Sequence, residues 1–213
     1  MSGKEKANSS PEPEALTYFN DFQARTVEGI AERLIPADSA NGGATQAGVV
    51  YYIDRAISGF STGLQRVYRL GLRELERFCE REHSTQFVNL TSDQQDQVIR
   101  RFLGNEIRGD QTAQNEQDSG TIEGIDVGLL RSMFAVIREH AIEGFFCDPV
   151  YGGNRGAVGW RLVGFPGVQW GYTAEQMKPG FDATQIPIRT LADLRRELNN
   201  LPDNAQYYIK EGK

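Results

Sequence analysis

The stretch Ser61-Thr-Gly-Leu-Gln-Arg-Val-Tyr-Arg-Leu-Gly-Leu-Arg-Glu-Leu-Glu-Arg-Phe-Cys-Glu-Arg-Glu-His83 decides the fold class. Leu64, Val67, Tyr68, Gly71, Leu72, Leu75 and Phe78 recur in it every three or four residues, and most positions between them are charged. A repeat of 3.6 residues gathers those side chains into one stripe. The spacing therefore predicts a helix from about Ser61 to His83, with one face for a core.

The same period recurs on both sides. Upstream, Phe19, Phe22, Val27, Ile30 and Leu34 form a stripe in a helix beginning near Ala15 and stopped by Pro36. Asp38 to Gly48, with Asn41-Gly42-Gly43, reads as a loop, and Val49 to Ile57 as a short helix. Downstream, Ser92 and Gln95 fit a capping box ahead of Val98, Phe102 and Leu103. Gly104 to Gly124 is polar and glycine-rich and reads as a solvated insertion. Asp126 then caps a helix whose stripe is Leu130, Phe134, Ile137, Ala141 and Phe145, ending near Phe146. From Cys147 to Tyr172 glycine, proline and aromatic residues replace any helical period. Thr190 and Asp193 cap a last helix carrying Leu191, Leu194 and Leu198. The expected architecture is mainly α: a compact helical domain over 15–200 with a long ordered glycine- and aromatic-rich C-terminal loop region. A disordered tail over 1–14 and a polar tail over 201–213 flank it.

Composition narrows the function. The 213 residues carry 23 Lys plus Arg and 29 Asp plus Glu, a net charge of -6, with no long basic run. Nucleic-acid binding needs clustered Lys and Arg against phosphates, so it is not expected. No apolar stretch approaches the roughly 20 residues that span a bilayer. Met1 to Pro13 holds neither a hydrophobic h-region nor a twin arginine, and as written is not a signal peptide.

No self-contained active site emerges. Gly59-Phe60-Ser61-Thr62-Gly63 matches the GxSxG string, but a nucleophile elbow needs a strand before it and a helix-like segment stands there. A helix connector with Ser61 or Thr62 as N-cap is the plainer reading. Glu80-x-x-His83 has the spacing of a di-iron ligand pair, yet the only other histidine lies in the reversed order His140-x-x-Glu143. Two cysteines, Cys79 and Cys147, cannot make a tetrahedral zinc site without His83, His140 or carboxylates, and no CxxC pair exists. Arg108-Gly109-Asp110 reads as loop composition. Gly152-Gly153-Asn154-Arg155-Gly156 lacks the Lys-Ser/Thr and the strand–loop–helix setting of a phosphate loop, and indicates unusual backbone dihedrals instead. An independent metal-dependent or hydrolytic enzyme remains as the alternative to the reading that follows.

Glu143-Gly-Phe-Phe-Cys-Asp-Pro-Val-Tyr-Gly-Gly-Asn154, then Gly159-Trp160 and Gly164-Phe165-Pro166-Gly167, form a distinctive block. Leu34-Ile35-Pro36-Ala37-Asp38, Gly43-Ala44, Ala47-Gly48-Val49 and Ile53-Asp54 form an earlier one. Together they resemble the gluconate 2-dehydrogenase subunit 3 family over roughly Phe19 to Tyr172. The resemblance implies a non-catalytic small (gamma) subunit. Its large partner would be a flavoprotein of the glucose–methanol–choline oxidoreductase type, which carries FAD and oxidises a sugar or polyol. A cytochrome c subunit with haem c would take the electrons onward in many such complexes. The small subunit would bind no cofactor or metal itself and would support maturation, stability or export of its partner. The same resemblance implies a periplasmic location, with the cytoplasm as the alternative.

In that role Tyr151, Asn154, Arg155, Trp160, Phe165, Trp170 and Tyr172 are the expected partner interface, because aromatic rings and Arg dominate interface energetics. Trp160 and Phe146 fit closure of the chain's own core equally well. Asp148 before Pro149 is expected to fix a turn, and Asn154 to bond backbone within the loop. Cys79 and Cys147 each end a helix. They form a disulfide if packing brings those ends together, and stay buried thiols if it sets them at opposite poles.

Overall fold

The computed structural model describes residues 15–104, 121–122 and 124–201. The tail over 1–14, most of the polar insertion with Arg108-Gly109-Asp110, and residues 202–213 lie outside the described residues. The architecture is mainly helical: α1 Asp21–Leu34, α2 Ala44–Ala47, α3 Val49–Ser58, α4 Gln65–His83, α5 Ser92–Leu103, α6 Val127–Phe146, α7 Val158–Val163 and α8 Leu191–Asn199. Two two-residue strands, β1 Thr121–Ile122 and β2 Ile125–Asp126, pair antiparallel just before α6.

Helix α6 is the axis of the fold. Val127, Leu130, Met133, Phe134, Ile137, Ala141 and Phe145 are buried, and α1, α3, α4 and α5 all pack on it. A helix apolar around most of its girth belongs at the centre, while neighbours with one stripe surround it. Helix α4 lies antiparallel to α6. Tyr68 near its start meets His140 near the end of α6, and Glu74 accepts the Asp126 N–H at 2.8 Å at the other end. Gly71 lets the two backbones close: a Cβ there would stand 2.6 Å from the Met133 Cβ.

The helix starts differ in detail from the sequence expectation. Helix α1 begins at Asp21, where Asn20 and Gln23 form a capping box; Phe19 precedes it, buried but outside the helix. Asp54, also buried, accepts the N–H groups of Thr17, Tyr18 and Phe19 at 2.6, 2.9 and 2.8 Å and ties this entry segment to α3. The expected loop over Asp38 to Gly48 contains α2, closed by Gly48 in the left-handed region. The capping box of α5 is Thr91 with Gln94 rather than Ser92 with Gln95, since Thr91 has the extended backbone of an N-cap. Asp126 and Thr190 cap α6 and α8 as expected.

The segment after α6 is not devoid of helix. Short 3-10 turns at Pro149–Tyr151 and Arg155–Ala157 lead into α7. These pieces are too short, and too interrupted by left-handed residues at Gly152, Asn154, Gly156 and Ala157, to leave a period in the sequence.

Candidate functional site

The 147–167 segment is built against the last turn of α6. Gly153 and Gly159 make this possible by close approach. A Cβ on Gly153 would fall 2.1 Å from the Gly144 carbonyl oxygen, and one on Gly159 would fall 2.0 Å from that of Phe145. Asn154 holds the left-handed backbone between them, at φ 44°. Its Nδ2 donates to the Cys147 carbonyl at 2.8 Å and its Oδ1 accepts the Gly159 N–H at 2.8 Å. One fully buried side chain thus joins the end of α6 to the start of α7.

Two further polar contacts lock the segment. Trp160 Nε1 donates to the Phe146 carbonyl at 2.7 Å, and the ring stands edge-on to Phe165 at 5.2 Å. Asp148 is buried and fixes its turn by accepting the Val150 N–H on Oδ1. With Oδ2 it accepts the Leu191 N–H at 2.8 Å, so it also serves the N-terminus of α8. That second role is invisible in sequence, because 43 positions separate the partners.

The expected interface residues therefore divide. Asn154 and Trp160 are buried and spend their polar groups within the chain. Arg155 is half-buried, with its guanidinium 3.8 Å over the Tyr51 ring and its Nε donating to the Gly152 carbonyl. Tyr151, Phe165, Trp170 and Tyr172 are exposed, Trp170 at 56% with its Nε1 donating to Glu197. Phe146 does not close the core: it is 38% exposed. With Val163, Phe165, Pro166 and Ala183 it lines an open groove beside α7, floored by Trp160.

The groups raised as catalytic candidates are placed otherwise. Ser61 follows α3, a helix and not a strand, in the connection to α4. His83 ends α4, whereas His140 is buried against Tyr68, its Nδ1 2.9 Å from the hydroxyl. Burial pushes the His140 pKa down, against the pull of Glu143 and Glu139. Glu143 instead accepts the Tyr52 hydroxyl at 2.9 Å. Among the described residues no group of three His, Cys, Asp or Glu could hold a metal ion. Among them, too, no helix is long and apolar enough to cross a membrane.

Cys79 and Cys147 are free thiols. The antiparallel packing of α4 on α6 explains the missing bond: Cys79 sits toward the pole where α6 begins, and Cys147 directly follows its end. The 20 residues of α6 span about 30 Å at 1.5 Å per residue, far beyond the roughly 7 Å that a disulfide tolerates. Burial raises both thiols, Cys79 to about 12 and Cys147 to about 11.

The aromatic, glycine-shaped segment over 147–167 and the buried Asp54 anchor are the fixed points of this fold. The chain belongs to the gluconate 2-dehydrogenase subunit 3 family, whose model matches residues 21–167. It is thus a dehydrogenase-subunit homologue, and the context of such a subunit is a complex with a catalytic dehydrogenase subunit. No curated protein and no solved structure matches the chain significantly.

Proposed function

We propose that this chain is the non-catalytic small subunit of a flavoprotein sugar or polyol dehydrogenase complex, and that it supports folding, maturation, stability or export of the catalytic subunit. The catalytic partner is of the glucose–methanol–choline oxidoreductase type and carries the FAD. A cytochrome c subunit bearing haem c receives the electrons, and the complex works in the periplasm. The observation that carries the reading is the family match across residues 21–167. The use of the family-like block supports it. Asn154, Asp148 and Trp160 direct their polar atoms at this chain's own backbone, while Phe146 and Phe165 beside them face outward. Side chains arranged in this way present a surface.

Producing the catalytic subunit with and without this chain tests the proposal. Its yield, flavin content and dehydrogenase activity are expected to fall together when the chain is omitted. Equal values in both preparations would overturn the maturation role.

A further inference from the structure

The loop between α1 and α2 holds the one Asn-Gly pair in the sequence, Asn41-Gly42. Asparagine is a chemically labile residue. Its side-chain amide is open to attack by the next main-chain nitrogen when that residue is glycine, because no Cβ shields the nitrogen. Here both reacting groups are available. Asn41 and Gly42 are only half-buried. Among the described residues nothing accepts the Gly42 N–H and nothing donates to the Asn41 Oδ1. Asn41 Nδ2 is held by Asp38 alone, at 3.2 Å to each carboxylate oxygen. Other asparagines are held more firmly. Asn154 is buried with two bonds at 2.8 Å, and Asn20 spends its Oδ1 on the cap of α1.

We propose that Asn41 is a self-modification site, at which the Gly42 nitrogen closes on the Asn41 side chain and the product loosens this loop from the start of α7. The Gly42 nitrogen gives up its proton and bonds to Asn41 Cγ, while the Cγ–Nδ2 bond breaks. Nδ2 leaves as ammonia, taking up that proton, and a cyclic imide remains. Water then opens one or the other carbonyl of the ring, leaving aspartate or isoaspartate at position 41. Nothing is oxidised or reduced.

The effect follows from what the loop touches. Asp38 Oδ1 accepts the N–H groups of Ala40 and Asn41 at 2.7 Å each. The Ala40 N–H, then the Asn41 side chain, hold the Asp38 carboxyl below its ordinary range, so it is ionised at neutral pH. Exchanging the Nδ2 donor for a carboxylate oxygen sets a second negative charge against it. The loop also abuts the family-like block: a Cβ on Gly42 would stand 3.1 Å from Val158 Cγ1, and α2 packs on the Arg155–Ala157 turn and on α7.

The test incubates the full chain, native and in urea, at mildly alkaline pH. Peptide mapping and isoaspartate-specific carboxyl methylation follow position 41. The native rate is expected within about tenfold of the rate in urea, the protection of a loop that opens at little cost. Gly42→Ala, which needs no left-handed backbone, and Asn41→Gln should each lose the signal. The converted chain, separated by ion exchange, should melt below the unconverted chain and exchange its amide hydrogens faster over 155–163. A native chain that keeps Asn41 while the chain in urea converts would overturn the site, as would undiminished conversion in Gly42→Ala. Conversion with unchanged melting and exchange would overturn the loosening.

Discussion

The Tyr68 hydroxyl lies 2.9 Å from His140 Nδ1, and the two rings stack within 10° of parallel inside the α4–α6 contact. This pair makes the fold acid-sensitive. Burial lowers the His140 pKa below its ordinary 6.5. Above that value neither state binds the proton, so stability is unaffected. As pH falls from 6.5 toward the lowered native value, the unfolded chain takes up a proton that the native chain refuses, and stability drops. Glu28 and Glu76, raised by burial, act with the opposite sign. The difference between the native chain and His140→Asn therefore isolates the histidine. The melting temperature of the variant is expected to fall less steeply between pH 6.5 and 5, as read by circular dichroism. Parallel curves would show that His140 does not titrate in this way.

Asn154 makes two buried hydrogen bonds from a left-handed backbone. Asn154→Ala strands the Cys147 carbonyl and the Gly159 N–H, and is expected to cost about 2–4 kcal/mol in urea unfolding. Asn154→Asp keeps the acceptor for Gly159 but sets an oxygen against the Cys147 carbonyl, and should also be destabilising. Asn154→Gly relieves the backbone without restoring either bond, so it should recover only part of the loss.

The α4–α6 approach depends on the absence of a side chain at position 71. Gly71→Val drives methyl groups into Met133 and is expected to destabilise the chain by about 1–3 kcal/mol. Combining it with Met133→Ala should recover part of the loss, because the two changes share one contact. Simple additivity in denaturant titrations would place the strain elsewhere.

Trp170 is more than half exposed and its indole N–H reaches Glu197 at 2.8 Å. Trp170→Ala should shift the isolated chain's stability by under about 1 kcal/mol. If the ring is a partner anchor, association should weaken by about 2 kcal/mol or more. Calorimetric binding to the catalytic subunit, set beside a thermal melt, separates the two roles. Loss of the melt would assign Trp170 to folding.

Cys79 and Cys147 should both titrate as free thiols in denaturant without reductant. In the native chain at pH 8 both should react slowly, because their pKa values of about 12 and 11 leave little thiolate. Cys147, the less buried, should react first. Fewer than two thiols in denaturant would contradict the placement of these residues at opposite poles.

Much of the helical frame was legible because amphipathic stripes are local. Leu64 to Phe78 and Leu130 to Phe145 announce α4 and α6, and Asp126 and Thr190 announce the caps of α6 and α8. The start of α5 slipped by one residue because Thr91–Gln94 and Ser92–Gln95 both satisfy the capping pattern, and only backbone dihedrals choose between them. Helix α7 was unreadable at six residues. The interface was legible only in part, for a physical reason. Trp160 and Phe165 are both large aromatic residues in a glycine-rich setting, yet one turns inward toward the Phe146 carbonyl and the other outward.

The central position of α6 also governs the order in which this chain can fold as it is made. Helices α1, α3, α4 and α5 are all synthesised before the helix they pack against. At 5–20 residues per second, the stretch from Asp21 to Phe146 takes on the order of 10 s to emerge. Throughout that interval these helices can pack only on one another and lack the central helix that they share as a partner. The native surface of this chain can therefore form to receive another protein only once α6 has emerged.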